Sequence, residues 1–487
     1  MDKHTDLRYG IYDEEDCITI TLTLEDDTEL ECSVVAFFSV KDKDYIALVP
    51  LNEPDPEELF YRAKRTNNDL VFEDIEDDME FITVSETFDE LIEEESEGKD
   101  FIISRNRLIR CEGSDKDIVI PDRVTRIDKY AFHGCYGLRS VVIPKTVTNI
   151  NPTAFLECDS LMNITVDENN ADYKDIDGNL YSKDGKVLLQ YALGKEDKSF
   201  TIPDGVISIV PYAFHWANNL TSVIIPEGVT SIGDNAFFSC SSLTDIKIPD
   251  SVTNIGIGAF SYCDNLKRVV LPNGLEDIGD KIFYRSKKLS NVVIPPSVKR
   301  IGKESFWGCG LKSVSLGKNV TNIGFRAFYA CYKLKSITVD KENDNYKDID
   351  GDLYTKDGKV LIQYAIGKKE TSFTIPNGVV SISDWALWGC DRLANVVIPD
   401  TVTSIGEHAF SAWNSSLTSI IIPDGVTTIG EYAFSDCKKL TNVVIGKGVT
   451  NIGKWSFSRC ENIIIKGYAG SYAETYAKEN GIPFEEI

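Results

Sequence analysis

The stretch Ile225–Lys247, IPEGVTSIGDNAFFSCSSLTDIK, runs straight into Ile248–Val270, IPDSVTNIGIGAFSYCDNLKRVV. Both spell I-P-x-x-V-T-x-I-x-x-x-A-F-x-x-C-x-x-L, and the phrase recurs about every 23 residues from residue 118 almost to the C-terminus. Twelve copies begin at Ile120, Ile143, Ile202, Ile225, Ile248, Leu271, Ile294, Leu316, Ile375, Ile398, Ile422 and Ile445. A short fixed period means a solenoid, in which one small unit stacks on the next.

Each position of the phrase has a physical role. Leu220, Val223 and Ile225 alternate inward on a short strand. Pro226 ends it, because proline cannot donate to a ladder. Pro-Glu-Gly or Pro-Asp-Gly then turns the chain, and Val229 and Ile232 point inward on the return side. Eight copies place Gly after that Ile; Asp128, Asn151, Val210 and Ser383 replace it. Val210 precedes Pro211 and should avoid the left-handed region, so the glycine cannot be strictly required for positive φ. Ala236-Phe237 are expected to open a helical or 3-10 turn, with Phe filling the core. Nine cysteines share one column three residues after Phe or Leu387; Ala217, Ser286 and Trp413 stand there in the other copies. They read as free buried thiols behaving as small apolar groups. No C-x2-C pair suggests zinc.

Two stretches interrupt the period, at 167–200 and 340–373. They are near copies offset by 173 residues, YKDIDGNLYSKDGKVLLQYALGK from Tyr173 and YKDIDGDLYTKDGKVLIQYAIGK from Tyr346. Asp-Gly turns between apolar residues read as hairpins that stack as rungs. D-x-D-G departs from the calcium-loop spacing.

Charge divides the chain. Residues 1–99 carry 31 acidic and 8 basic residues, whereas the other 388 carry 46 and 43. Residues 1–98 are expected to be a separate acidic α+β domain. Its strands lie near Ile18–Leu24, Val34–Val40, Tyr45–Leu51, Leu59–Ala63 and Leu70–Phe72. A turn falls at Glu25–Asp27, and a helical stripe of Phe81, Phe88, Leu91 and Ile92 follows. Residues 99–117 form an N-terminal cap using Phe101, Ile103, Leu108 and Ile109. Residues 118–466 hold the repeats, and 467–487 form a C-terminal cap. In that cap Ser471 starts a helix, Gly481 stops it, and Tyr468, Tyr472 and Tyr476 cover the last rung.

The N-terminal ITLTLEDDTELECSVVAFFSVKDKDYIALVPL, with FEDIEDDMEF and TFDELIEEE, resembles a short acidic bacterial domain of unknown function, the YrzB-like family. The repeat, with the terminal AGSYAETYAKENGIPF, resembles BspA-like (treponemal-type) leucine-rich repeat proteins over residues 100–487. That resemblance implies a curved solenoid with a parallel sheet, and protein binding; some relatives are surface adhesins.

Two surface columns are the candidate binding sites. Outward mid-strand positions form an apolar strip that includes Val142, Ile224, Lys247, Val270, Val293, Val397, Ile421 and Val444, with Arg268 beside it. The plain alternative is β-propensity on an exposed sheet. The position after Phe gives an aromatic patch of Phe238, Tyr284, Trp307 and Tyr329, about 5 Å apart if rungs stack at strand spacing; the alternative is a flap sealing the core edge. No catalytic motif, metal site or cofactor fingerprint is present, and His133, His215 and His408 make no constellation. Acidity argues against nucleic acid and anionic lipid as partners. No apolar run is long enough to span a membrane, and residues 1–16 are too polar for a leader. The expectation is a cytoplasmic, non-enzymatic scaffold binding a protein or peptide on its concave face, without cofactor. A cell-surface adhesin or glycan-binding protein is the alternative, and a self-associating structural element a third.

Overall fold

The computed structural model describes residues 10–11, 19–23, 29–41, 43–50, 59–65, 70–75, 77, 79–81, 83–85, 87–88, 101–412 and 415–487. It divides into a first unit, residues 1–158 with 167–171, and a second, residues 159–166 with 172–487.

In the first unit, strands Gly10–Ile11, Glu29–Val40, Lys43–Pro50, Leu59–Arg65 and Leu70–Glu73 form an antiparallel sheet, with Thr19–Thr23 also paired to Glu29–Val40. All five expected strands are present. A bulge between Val34 and Ala36 shifts the long strand's register. Val35, Ala36 and Phe38 pack with Val84 and Phe88 of the following helical segment, while Val34 and Phe37 join a cluster with Ile46, Leu48 and Ala63. The helical segment is pinned by one carboxylate. Glu80 accepts from the Tyr45 hydroxyl (2.6 Å), Lys43 Nζ (3.1 Å) and the Arg62 guanidinium. These donors hold its carboxyl far below the usual range, Arg62 most of all. Of the expected stripe, Phe88 is buried and Phe81 is 44% exposed. Leu91, Ile92 and the Glu25–Asp27 turn lie outside the described residues.

The cap is a hairpin of Phe101–Ser104 and Arg107–Cys111. Its inward residues are Ile102 and Leu108; Phe101, Ile103 and Ile109 are only half-buried, because a bulge between Ile102 and Ile103 changes which side chains face the core. Arg107–Cys111 pairs in parallel with Arg126–Ile127, which pairs with Asn149–Ile150.

The second unit repeats one rung. Strand Ser222–Ile224 ends at the Pro226 turn, short strand Ser231–Ile232 follows, and a run of turns leads to the next strand. Leu220, Val223, Ile225, Val229, Ile232, Ala236, Phe237, Cys240 and Leu243 are all buried. At about 1.5–3 kcal/mol per buried aliphatic or aromatic side chain, offset by ordering of the backbone, coupled rungs hold where one would not. Rungs stack in parallel in two ladders, one of strands such as Arg268–Val270 and Asn291–Val293, the other of pairs such as Ser208–Ile209 and Ser231–Ile232.

The Ala-Phe segment forms single turns closed by i→i−3 bonds, Ala236 N to Gly233 O and Phe238 N to Asn235 O, that do not run on into a helix. Two residues per rung take the left-handed conformation instead, Asn235 (φ 51°) and Ser239 (φ 55°) in one rung, Tyr212 and Trp216 (both φ 64°) in the previous one. Such residues sit in a region that side chains with a Cβ seldom occupy, and here the stacked neighbours impose it. The glycine after Ile has a different cause. A Cβ on Gly233 would lie 2.3 Å from Pro211 N, on Gly256 2.4 Å from Asp234 N, and on Gly406 2.4 Å from Asp384 N. The glycine is there because the previous rung's backbone passes too close. Gly279, with 3.2 Å to the Ile255 carbonyl, is looser, and the short-strand ladder breaks there between Asn254–Ile255 and Asp277–Ile278.

Both interruptions are hairpins. Tyr173–Ile176, Asn179–Ser182 and Val187–Gln190 are antiparallel, and Val187–Gln190 then pairs in parallel with Ser208–Ile209 as a rung. Tyr346–Ile349, Asp352–Thr355 and Val360–Gln363 do the same against Ser381–Ile382. Helix Tyr472–Glu479 follows the last rung; its N-cap Ser471 accepts from Glu474 N, Gly481 (φ 65°) follows its end, and strand Phe484–Glu486 then pairs in parallel with Ile464–Gly467. Tyr476 is buried against Phe457, but Tyr468 and Tyr472 are 41% and 40% exposed, so one tyrosine of the three covers the last rung.

Candidate functional site

The long-strand ladder places the expected apolar column outward. Ile224, Val293, Val397 and Ile421 are 57%, 71%, 46% and 65% exposed. Val142, Val270 and Val444 are half-buried, and Lys247 and Arg268 are exposed. Lys247 lies in register with Val270, Val270 with Val293, and Ile421 with Val444. In the first unit, Val142 sits beside Val119.

The column is not one continuous sheet. Asn291–Val293 ends a five-stranded sheet and Ser313–Leu316 begins the next. The break follows a one-residue deletion, Cys309-Gly310-Leu311, where other copies have two residues between Cys and Leu. Gly310 is pressed against the previous rung, 2.5 Å from Lys287 O for an added Cβ. A groove of about 710 Å³ opens at the break, lined by Asn291, Val293, Lys312, Ser315, Lys318 and Asp340 among others.

The aromatic patch is longer than expected. Tyr284 stands 5.0 Å from Trp307, and Trp307 4.7 Å from Tyr329, close to the expected rung spacing. Where Ser261 interrupts the column, Tyr262 bridges Phe238 (5.1 Å) and Tyr284 (5.5 Å) from the left-handed position next along. Beyond Tyr329 the stack changes column, through Trp385 and Trp388 to His408, Tyr432 and Trp455. Sequence reading by single columns missed Tyr262, Trp385, His408, Tyr432 and Trp455. For Trp385, His408, Tyr432 and Trp455 the signal was a second aromatic column, the residue before Ala or, in the last copy, Ser456; Tyr262 stands apart, two residues after Phe260.

Arg326 sits within this stack, its guanidinium 3.7 Å from the Trp385 ring centre and 5.5 Å from those of Trp307 and Tyr329. Glu304, buried, lies 3.9 Å from it and 3.8 Å from Lys281. His408 stacks 3.9 Å from the same Trp385 ring, and burial, then Arg326, lowers its pKa to about 4. The imidazole is therefore neutral at physiological pH. Arg326 Nε, Trp385 Nε1 and His408 Nδ1 are buried without a hydrogen-bond partner.

The thiol column does more than fill space. Sγ of Cys158, Cys240, Cys263, Cys309, Cys331, Cys437 and Cys460 lies 3.1–3.3 Å from the Phe carbonyl one rung back, and the Ser286 hydroxyl makes the same bond at 2.8 Å. The column takes a small side chain; Ser286 keeps the bond, Ala217 keeps only the size, and Trp413 lies outside the described residues. Burial pushes Cys240, Cys331, Cys437 and Cys460 up to about 12. Cys135, Cys240, Cys263, Cys309, Cys331, Cys390, Cys437 and Cys460 are thiols, not disulfides. Among the described residues no His, Cys, Asp and Glu group could hold a metal, and no helix is long and apolar enough to cross a membrane.

Comparison with known proteins places both regions. The model for the BspA type leucine rich repeat region matches residues 103–185, 193–312, 276–356 and 365–468, and that for a protein of unknown function (DUF1292) matches 25–93. A UPF0473 protein of Clostridium botulinum is 37% identical over 78 residues, 16% of this chain and 93% of the relative. One from Heliobacterium modesticaldum is 37% identical over 86 residues, 18% and 97%. A leucine rich cell surface protein of Faecalibacterium prausnitzii aligns at TM-score 0.48 and 28% identity over 78% of this chain and 96% of its own. A leucine-rich repeat protein of Bacteroides ovatus aligns at 0.42 and 23%, over 80% and 97%. The chain belongs to the BspA-type leucine-rich repeat family, and its N-terminal region to the UPF0473 family.

Proposed function

We propose that the chain is a non-enzymatic scaffold that docks a partner protein on the outward face of its long-strand ladder. The observation that carries this is Val293, 71% exposed at the end of one sheet and on the lip of the groove where the next begins. An exposed β-branched column interrupted by a groove suits an extended protein segment, with an apolar side chain against Val293. Lys312 and Lys318 on the rim favour acidic neighbours in that segment. The compartment proposed is the cytoplasm, because Cys240, Cys263, Cys309, Cys331, Cys437 and Cys460 stand one per rung as thiols that donate to carbonyls.

The test is proximity labelling and reciprocal pull-down with the full chain, comparing wild type with Val293→Asp and Val270→Asp. A partner lost from both variants, with thermal unfolding unchanged, supports the reading. A partner set identical in all three sinks it. Cell fractionation decides the compartment, and recovery at the cell surface would favour an adhesin.

A further inference from the structure

Cations gather on neighbouring rungs in the middle of the solenoid. Residues 267–335 carry 14 basic and 4 acidic residues, whereas residues 100–487 as a whole carry 43 and 46. The four acids, Glu276, Asp277, Asp280 and Glu304, are taken up in ion pairs with Lys299, Arg300, Lys281 and Arg326. Lys267, Arg268, Lys312, Lys333 and Lys335 are exposed, and none of them pairs with a carboxylate among the described residues. Lys267, Lys312 and Lys335 each follow the inward Leu of their rung, a column that is uncharged in the other copies except at Arg139. Stacking brings the column together: Lys335 N donates to Lys312 O at 2.9 Å, and Ser290 N to Lys267 O at 3.2 Å.

The same rungs open the core. Val292 and Ile294 point inward at the end of the five-stranded sheet but are only half-buried. Their counterparts Val269 and Leu271 on the rung before are 1% and 4% exposed, and Val314 and Leu316 on the rung after are 5% and 1%. Val292 and Ile294 line the groove of about 710 Å³, with Lys312 also in its wall. Asn291–Val293 pairs only with Arg268–Val270, and Ser313–Leu316 only with Ser336–Val339, so each has one strand edge unpaired at the break. An apolar side chain seated there restores contacts that the missing strand pairing leaves out.

These features select the occupant. The Lys267 to Lys335 column covers about 14 Å at roughly 4.8 Å per rung, more than a single carboxylate head group can meet. A nucleic acid would meet the cations, but it has no apolar side chain for Val292 and Ile294 and no use for two strand edges. A peptide supplies backbone, apolar side chain and charge together. Glu342 pairs with Lys318 at 3.3 Å, which leaves Lys312 as the lysine of the lining without a carboxylate. Asp340 is the single carboxylate in the lining and repels an acid beside it, so the acids of the segment fall over Lys312 and the cations of the flanking rungs. We propose that the segment docking here is an acidic extended peptide, which seats one bulky apolar side chain over Val292 and Ile294 and sets carboxylates against Lys312, Lys335 and Arg268. This rests on the docking reading above and names the partner's chemistry.

The test titrates the full chain into a labelled glutamate peptide with one central phenylalanine, read by fluorescence anisotropy. Matching probes carry alanine in place of phenylalanine, or glutamine in place of glutamate. The double variant Lys312→Glu with Lys335→Glu changes exposed side chains only, and Lys438→Glu with Lys439→Glu makes the same charge change on a distant rung. The acidic phenylalanine peptide is expected to bind, with Kd raised about tenfold or more by Lys312→Glu with Lys335→Glu and less than about twofold by the distant pair. The alanine probe should bind about tenfold more weakly, the loss of one buried apolar side chain. No binding at about 1 mM peptide overturns the proposal, as do equal binding of the glutamine probe and equal losses in the two double variants. Tighter binding of an oligothymidylate of the same length, or of laurate, lost in Lys312→Glu with Lys335→Glu, overturns it as well. Partners lost from Val293→Asp but kept by Lys312→Glu with Lys335→Glu would leave the docking face standing and sink its acidic partner.

Discussion

The hairpins at 173–190 and 346–363 carry nearly the same sequence and do the same structural work. Each has its bulge at the same place, between Leu180 and Tyr181 or Leu353 and Tyr354. Asp175 and Asp348 accept from Val166 N (2.9 Å) and Val339 N (2.8 Å) respectively. Ahead of each hairpin a buried amide ties down two carbonyls of the previous rung. Asn170 donates to Pro144 O and Val147 O, and Asn343 to Gly317 O and Val320 O, all at 2.9 Å. The copies part at one buried position. Asn179 accepts from Ala192 N at 3.0 Å. Asp352 accepts from Ala365 N at 2.9 Å and adds an ion pair to Lys368 at 2.6 Å, whereas the matching Lys195 reaches the Asp177 carbonyl. Side chains that complete backbone hydrogen bonding are held in common. Charge, and the aromatic neighbours, are where the copies diverge.

The largest test of that division removes the divergent acceptor. Asp352→Ala leaves Lys368 and Ala365 N unpaired and is expected to cost about 3 kcal/mol, against about 1–2 kcal/mol for Asn179→Ala, a neutral loss. Equal costs by chemical denaturation would mean that the ion pair adds nothing. Asn170→Ala and Asn343→Ala remove the shared device, and each is expected to cost about 2 kcal/mol, one to two buried bonds. A difference larger than about 1 kcal/mol between them, beyond the usual scatter for one kind of site, would break the claim of equivalence. The smallest effect is one of pH. Burial raises the Asp352 pKa despite Lys368. Its protonated form is thus favoured by folding, and that contribution is complete below the unfolded pKa of about 3.9 and lost as pH rises through the folded value. Amide protection of 346–363 should fall relative to 173–190 as pH rises above about 4. Asp352→Asn should abolish the difference.

Most of the scaffold was legible in the sequence because each rung sets one residue type at one position, Ile and Leu inward, Pro at the strand end, Phe at the widest part of the core. The hairpin interruptions and the Ser471 cap were legible for the same reason, since local turn and cap chemistry decides them. The reason for the glycine was not legible, because close approach of the previous backbone is a property of two rungs. The same holds for the aromatic stack. Tyr262 and Trp385 occupy different columns, and only left-handed residues in the turns bring them into line. Arg326 went unremarked, since nothing in one copy says that Trp385 and His408 are near it across the insertion.

The column of thiols bonded to Phe carbonyls makes the chain its own unfolding gauge. With pKa values pushed up to about 12 and sulfur atoms enclosed, the thiols are poor targets for an alkylating reagent while their rungs stay shut. Because a stacked array opens through its nearest-neighbour contacts, each rung that separates exposes about one more sulfur. The mass added after a brief pulse of reagent would therefore count how many rungs were open, and peptide mapping would say from which end the array had begun to come apart.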